Sequence, residues 1–358
     1  MNALRTSCDK LGVKILTETQ GVSLIMDKGA VAGVKAVSED GELTVRAKSV
    51  IVATGGLYGN TKMIQESVQW PQTYQDEEFV EWGLRYSGDG VRMLAEAGAV
   101  REGRVMFEQH APVFAGELKL TTYVVPISHV TVWVNKNGER FADETISDLF
   151  SEGANAVCRQ PDKVMYSLFD ETVKQELVSR GYSEFELVCG ALLSGGKPKD
   201  PSNLKANEER LINDIKIEEE KGFAKIADSW DEIAAYIGAD PNVLKATIDE
   251  YNSYCDKGHD DDFAKKRDAL MPLRQPPFYA LKCRACINTV HGDIKCNHHM
   301  NVLSKDDQPI GGLFAAGVDT GGADWHTYDT ELTGHSFGFS VNNGRIAGES
   351  AAQFVLGK

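Results

Sequence analysis

Ser49-Val-Ile-Val-Ala-Thr-Gly-Gly56 is the stretch whose reading decides the fold. An uninterrupted apolar run of this kind reads as a strand buried on both faces, the habit of a parallel sheet rather than of a half-wet hairpin. It stops on two glycines, which lets something large approach the backbone. Gly312-Leu-Phe-Ala-Ala-Gly317 repeats the pattern near the other end of the chain. Two buried strands that each end at glycine place a ligand crevice at their carboxyl ends.

Working outward, Leu4, Cys8 and Leu11 recur at helical spacing, which predicts an amphipathic helix ending at Gly12. Short strand-like runs follow at Val13–Glu18, Val22–Met26 with Val31–Val37, and Leu43–Ala47. They are separated by the turn residues Asp27-Lys28-Gly29 and Glu39-Asp40-Gly41. At the other end, a polar loop after Gly317 leads to a helix from near Gly334 to about Phe354. Between about Gln72 and Lys282 the character changes to helical segments, Pro and Gly breaks and charged linkers such as Asn207–Lys221. One helix there is clear, with Leu244, Ile248, Tyr251 and Cys255 on one face and Gly258 just beyond its end. Similar ends around a different middle predict one discontinuous domain interrupted by another. Residues of about 1–73 and 283–358 are expected to form the first and about 74–282 the second, so that Ile51–Thr54 and Leu313–Ala316 belong to one domain.

The chain has 358 residues, 42% hydrophobic and 25% charged, enough for two domains with sizeable cores. A net charge of −15 without any basic run repels phosphate backbones and anionic lipid heads, which argues against nucleic-acid and membrane partners. No apolar run is long enough to span a bilayer. Seven scattered cysteines, an odd number, suit a reduced compartment, and no signal peptide is visible at Met1, so a cytoplasmic location is expected.

Several segments, taken in order, resemble the FAD-dependent fumarate reductase and succinate dehydrogenase flavoproteins. Lys48–Asn60 resembles that family's Ala-Thr-Gly-Gly strand against the flavin. Ser87-Gly-Asp-Gly90 with Met93–Gly98 resembles the start of its capping region. Val134–Glu144 is similar to its Asn-x-x-Gly-x-Arg-Phe-x-x-Glu hairpin. Tyr251-Asn252, Cys255, Gly258, Asp262-Phe263 and Pro276–Ala280 resemble the exit from the cap, and Pro309–Gly317 with Gly344–Gly348 the carboxyl-terminal flavin strand and helix. The resemblance implies an α/β fold with an α+β cap: a partial, doubly wound FAD-binding domain interrupted by a fumarate-reductase-like capping domain. It implies FAD as cofactor, contacted by Ala53, Thr54, Gly55, Gly56, Gly317, Asp319, Gly334, His335 and Ser336. Asp319 is the substitute for an acid that relatives place one residue earlier, where Val318 stands. The amino end of the last helix, Gly334-His-Ser-Phe-Gly338, would stabilise negative charge on a reduced flavin.

The family opens with a strand, a Gly-x-Gly-x-x-Gly turn and an acidic residue that seat the ADP half of FAD. No such turn lies near Met1. A preceding segment or a partner polypeptide is therefore expected to complete the FAD site, and this chain alone is expected to hold FAD weakly. Cys283-x-x-Cys286 with His291, Cys296, His298 and His299 lacks a properly spaced second cysteine pair and is read as structural, with no metal.

The implied reaction is hydride transfer between flavin N5 and an activated C=C bond of a small molecule. Asp148, His326, Tyr328 and His110 are the catalytic candidates, with His129 and Tyr123 flanking the same cap face. Fumarate is not the expected acceptor. Asp148 falls where family fumarate reductases carry a proton-donating arginine, unless Arg140 or Arg159 fills that role. Glu331-Leu-Thr-Gly334 stands where they carry a carboxylate-binding arginine, and a second substrate histidine maps near Asn288–His291. Two alternatives remain: a 3-oxosteroid 1-dehydrogenase-like enzyme, and a flavin-less fragment or subunit acting as a binding or assembly partner.

Overall fold

The computed structural model describes residues 2–67, 86–102, 106–117, 120–180, 208–322 and 334–358. Among them lie two sheets. The first contains β1 (Gln20–Asp27), β2 (Ala30–Ser38), β3 (Gly41–Arg46), β4 (Val50–Val52), β10 (Asn301–Leu303) and β11 (Pro309–Ala315). The second contains β5 (Met106–Phe114), β6 (Val132–Asn135), β7 (Val164–Phe169), β8 (Ala224–Ala227) and β9 (Phe278–His291), all paired antiparallel.

The two glycine-ended strands lie side by side. β4 runs parallel to β11 in the register Leu313↔Val50, Phe314↔Ile51 and Ala315↔Val52. β1, β2 and β3 form an antiparallel meander joined to β11 through β2. The β1–β2 turn places Lys28 at φ 48° and Gly29 at φ 84°, the two left-handed positions of a tight hairpin. Val31, Val52, Leu57, Ile310 and Leu313 are buried in this part. The closing helix His335–Leu356 lays Ala347 and Ala351 on Phe314 and Ala316, and small residues at that contact let helix and strand approach closely.

Two sequence expectations need correction. Val13–Glu18 is not a strand: it is irregular and exposed, and its apolar residues pair with nothing among the described residues. Nor is β4 buried on both faces, since Ile51 is 39% exposed. The apolar run alone could not reveal how many layers cover a strand.

The second core gathers Trp133, Phe169, Leu244, Ile248, Tyr251 and Tyr279, with Phe169 and Tyr279 stacked at 4.6 Å between ring centroids. The Asn-x-x-Gly-x-Arg-Phe-x-x-Glu stretch is built into it. Asn135 Oδ1 accepts the N–H groups of Asn137 (2.9 Å) and Glu139 (3.1 Å), which folds the turn. Gly138 closes it at φ 85°, where a Cβ would press on Leu244 at 3.2 Å. Arg140 then pairs with Glu144 (3.0 Å) and Asp260 (2.9 Å), and Lys265 pairs with Glu144 (3.1 Å), with Glu144, Asp260 and Lys265 side chains fully buried.

Burial pushes the Glu144 carboxyl upward, but the charges of Lys265 and Arg140 outweigh it and hold its pKa below the ordinary value. Asp260 is also held low: burial raises it, and Arg140 more than reverses that. Among the described residues no helix is long and apolar enough to cross a membrane.

Glu144→Gln leaves Lys265 and Arg140 buried beside a neutral amide, so urea unfolding should show a loss of about 3–5 kcal/mol. Because both carboxyls titrate below their unfolded values, their contribution is complete above about pH 4–5. It should disappear as pH falls through the folded-state values, so the stability gap between wild type and Glu144→Gln should shrink on acidification.

Candidate flavin-binding site

Beyond β4 the chain turns through Gly55 (φ 100°) and Gly56 (φ 82°). Positive φ at two successive residues turns neighbouring N–H groups to one side, forming a small anion-binding concavity. The anion inside it is Asp319, whose side chain has no exposed surface. Asp319 Oδ1 accepts from Gly56 N–H at 2.9 Å and from Thr54 Oγ1 at 3.1 Å, and the backbone N–H of Thr54 donates to the other carboxylate oxygen. Burial pushes the Asp319 pKa above the usual carboxylate value, against the opposing pull of these donors. Gly55 is required for packing as well, since a Cβ there would sit 2.5 Å from the Tyr86 ring.

Beyond β11, Gly317 (φ 69°) donates its N–H to Asn343 Oδ1 at 2.9 Å. Thr320 Oγ1 donates to the Gly317 carbonyl at 2.8 Å. Asn343 thus pins the middle of the closing helix to the end of β11. That helix begins at Gly334 (φ 84°) with no side chain capping it, and a Cβ at Gly334 or Gly338 would meet nothing within 4 Å. This end of the helix carries the partial positive charge of a helix start. Ser336 Oγ lies 2.8 Å from Nε2 of His291, a buried residue at the end of β9, so the last strand of the second sheet touches the start of this helix.

Ala53, Thr54, Gly55, Gly56, Gly317 and Asp319 are brought together at the ends of β4 and β11, and Gly334, His335 and Ser336 open the helix that packs beside them. Asp319 braces the turn instead of presenting a free oxygen. The catalytic candidates are more dispersed. Asp148, on the short turn of helix Glu144–Asp148, is exposed and lies 2.9 Å from His129 Nε2. His110 lies in β5 opposite Cys286 of β9. His326, Tyr328 and Glu331 lie outside the described residues. Arg140 is buried in its ion pairs, and Arg159 stands exposed at the end of the helix Phe150–Cys158.

Cys283 is fully buried and burial pushes its thiol far up, while Cys296 is pushed up to about 12 for the same reason. Among the described residues no three His, Cys, Asp or Glu side chains are grouped to hold a metal. Asn343 was missed by sequence reasoning. The available signal was an asparagine, a poor helix former, in the interior of a helix pattern.

Residues 1–329 match a protein family described as an FAD binding domain. The chain is 28% identical to the vinyl phenol reductase of Lactiplantibacillus plantarum, over 99% of this chain and 71% of that protein. It is 30% identical to the NADH:acrylate oxidoreductase of Vibrio harveyi, over 96% of this chain and 31% of that protein. Among solved structures it is similar to the open conformation of a flavocytochrome c3 fumarate reductase, with a TM-score of 0.62 and 26% identity, over 99% of this chain and 55% of that one. The chain belongs to the FAD binding domain family. It spans about half, or less, of the acrylate oxidoreductase and flavocytochrome chains that it matches.

The residues present fit FAD: glycine turns at the ends of β4 and β11 leave room for a large group beside the amino end of a long helix. Asn343→Leu should remove the acceptor for the Gly317 N–H and lower thermal stability by about 1–3 kcal/mol. Calorimetry of the apoprotein checks this, and FAD uptake should weaken in parallel.

Proposed function

We propose that this chain forms the flavin-facing and substrate-capping part of an FAD-dependent oxidoreductase acting on activated C=C bonds. The observation that carries the reading is the uncapped start of the closing helix beside the paired glycine turns of β4 and β11. When bound, FAD supplies hydride exchange at its N5. The N–H groups of residues 334–336 would hold negative charge at the pyrimidine edge, and the Gly55-Gly56 turn would give a wall free of side chains. We divide the chain accordingly into residues 1–73 and 283–358 around the flavin and residues 74–282 as the cap over the acceptor. His110, His326, Tyr328 and Asp148 are the groups assigned to bind the acceptor and deliver the proton to its second carbon.

The acceptor is neutral or cationic: an enone, an aromatic alkene or a steroid-like molecule, and not fumarate. Arg140 is buried and holds Glu144 through Nε and Nη2 and Asp260 through Nη2, which speaks against it as a substitute proton donor. By the family resemblance, Asp148 and Glu331 stand in the sequence where fumarate reductases carry arginines, and carboxylates there would repel a dianion. Repulsion of that kind is worth about 4 kcal/mol per pair at 4 Å in a partly screened cleft. The similarity to a vinyl phenol reductase fits an uncharged alkene.

A further polypeptide segment completes the FAD site, whether from the same gene or another. Ile51 of β4 and, one turn apart on the closing helix, Phe337 (75% exposed) and Val341 (53% exposed) leave apolar surface beside the turns for it to cover. We assign the protein to the cytoplasm, a reading that its odd number of scattered cysteines supports.

In the FAD-loaded, completed protein, turnover with an enone or vinyl phenol and a reduced viologen donor should exceed fumarate turnover at least tenfold. Fumarate turnover matching the best enone contradicts the assignment. Residues 1–358 alone should lose FAD on dialysis. Stoichiometric retention would show that no further segment is needed.

A further inference from the structure

We propose that the Thr54–Gly56 turn is an anion-binding nest occupied by the chain's own Asp319 carboxylate, so that an internal charge, and not a cofactor phosphate, sets its shape. A glycine-rich turn at the end of a parallel strand ordinarily reads as a phosphate cradle, because successive N–H groups converge on an outside anion. Here the N–H groups of Thr54 and Gly56 converge inward on one carboxylate with no exposed surface.

The Thr54 hydroxyl contacts both carboxylate oxygens, at 3.1 and 3.2 Å. The backbone of Asp319 is itself fixed, its carbonyl accepting Ile294 N–H at 3.2 Å and Asp293 N–H at 3.4 Å. The bridge between residues 294 and 320 holds the backbone from which the carboxylate projects. The same side chain ties the end of β4 to the loop after β11. Removing it leaves two inward N–H donors with nothing to bond, and a small carboxylate from solution has the size and charge to replace it.

Asp319 thus acts on the flavin site as a positioning residue, through the turn. FAD phosphates must be held elsewhere, since the donors of this turn are already committed. The occupancy of the nest stands on geometry alone, and only the last arm of the test rests on the flavin reading.

The test uses the full apoprotein. Asp319→Ala should lower the thermal midpoint by about 4–10 °C. Sodium formate should restore at least half of that loss, while sodium chloride at equal ionic strength should restore none. In Asp319→Asn, where a carboxamide still fills the nest, the midpoint should fall and formate should have no effect.

In the wild type, the Thr54 and Gly56 amides should exchange with solvent as slowly as that of Phe314, and inorganic phosphate should leave their NMR shifts unchanged. These wild-type measurements decide the matter if Asp319→Ala does not fold. Equal effects of formate and chloride, an unchanged midpoint in Asp319→Ala, or phosphate-induced shifts at residues 54–56 would each overturn the proposal. As a final arm, FAD uptake by Asp319→Ala in the completed protein should drop and return with formate. No FAD uptake by the wild type would count against the flavin reading and leave the formate result standing.

Discussion

A buried carboxylate held by two backbone amides and a threonine hydroxyl joins the two ends of this chain. Asp319 arrives from the loop after β11 and closes the turn after β4. Without it the parallel pairing of β4 and β11, only three residues long, would end in two loose glycine turns. The cost of burying an ionised group is met only because the donors already point inward. The inward donors follow from Gly55 and Gly56, which occupy left-handed backbone positions that side chains disfavour. Glycine pair, aspartate and strand pairing are one structural decision, and Asn343 adds the closing helix to it by holding Gly317.

The second core is organised around charge in a different way. Arg140, Glu144, Asp260 and Lys265 compensate one another in a buried interior, and the guanidinium lies 4.9 Å from the Tyr251 ring centroid. The stretch that most resembled a family signature therefore serves the architecture of the second core. The exposed end of the following short helix carries Asp148, paired with His129. The long strand β9 connects this core to the flavin side, running from Phe278 in the cap core to His291 against Ser336.

Much of this was legible in the sequence, and the failures have physical causes. Ser49–Gly56 and Gly312–Gly317 could be read because a short apolar run ending in glycine has few other uses, and the register between them followed. The hairpins at Lys28-Gly29 and Glu39-Asp40 were legible from turn chemistry. Val13–Glu18 was misread because its apolar residues mimic a strand while nothing among the described residues pairs with it. Exposure of Ile51 was invisible for the related reason that sequence does not count layers. Asp319 was picked out as an acid near the cofactor, but its role depends on which way two backbone amides point, and only coordinates show that. Asn343 and the His291–Ser336 contact involve partners 26 and 45 residues apart in sequence, a separation that local patterns cannot bridge.

The central claim is that the isoalloxazine end of FAD lies between the β4 and β11 turns and the start of the closing helix. Amide hydrogen exchange of the completed protein, with and without FAD, tests it most directly. The account predicts new protection at residues 334–338, with residues 54–56 protected in both states. FAD-dependent protection confined to the cap groove lined by Trp230, Arg274 and Phe278, with residues 334–338 unchanged, would contradict it.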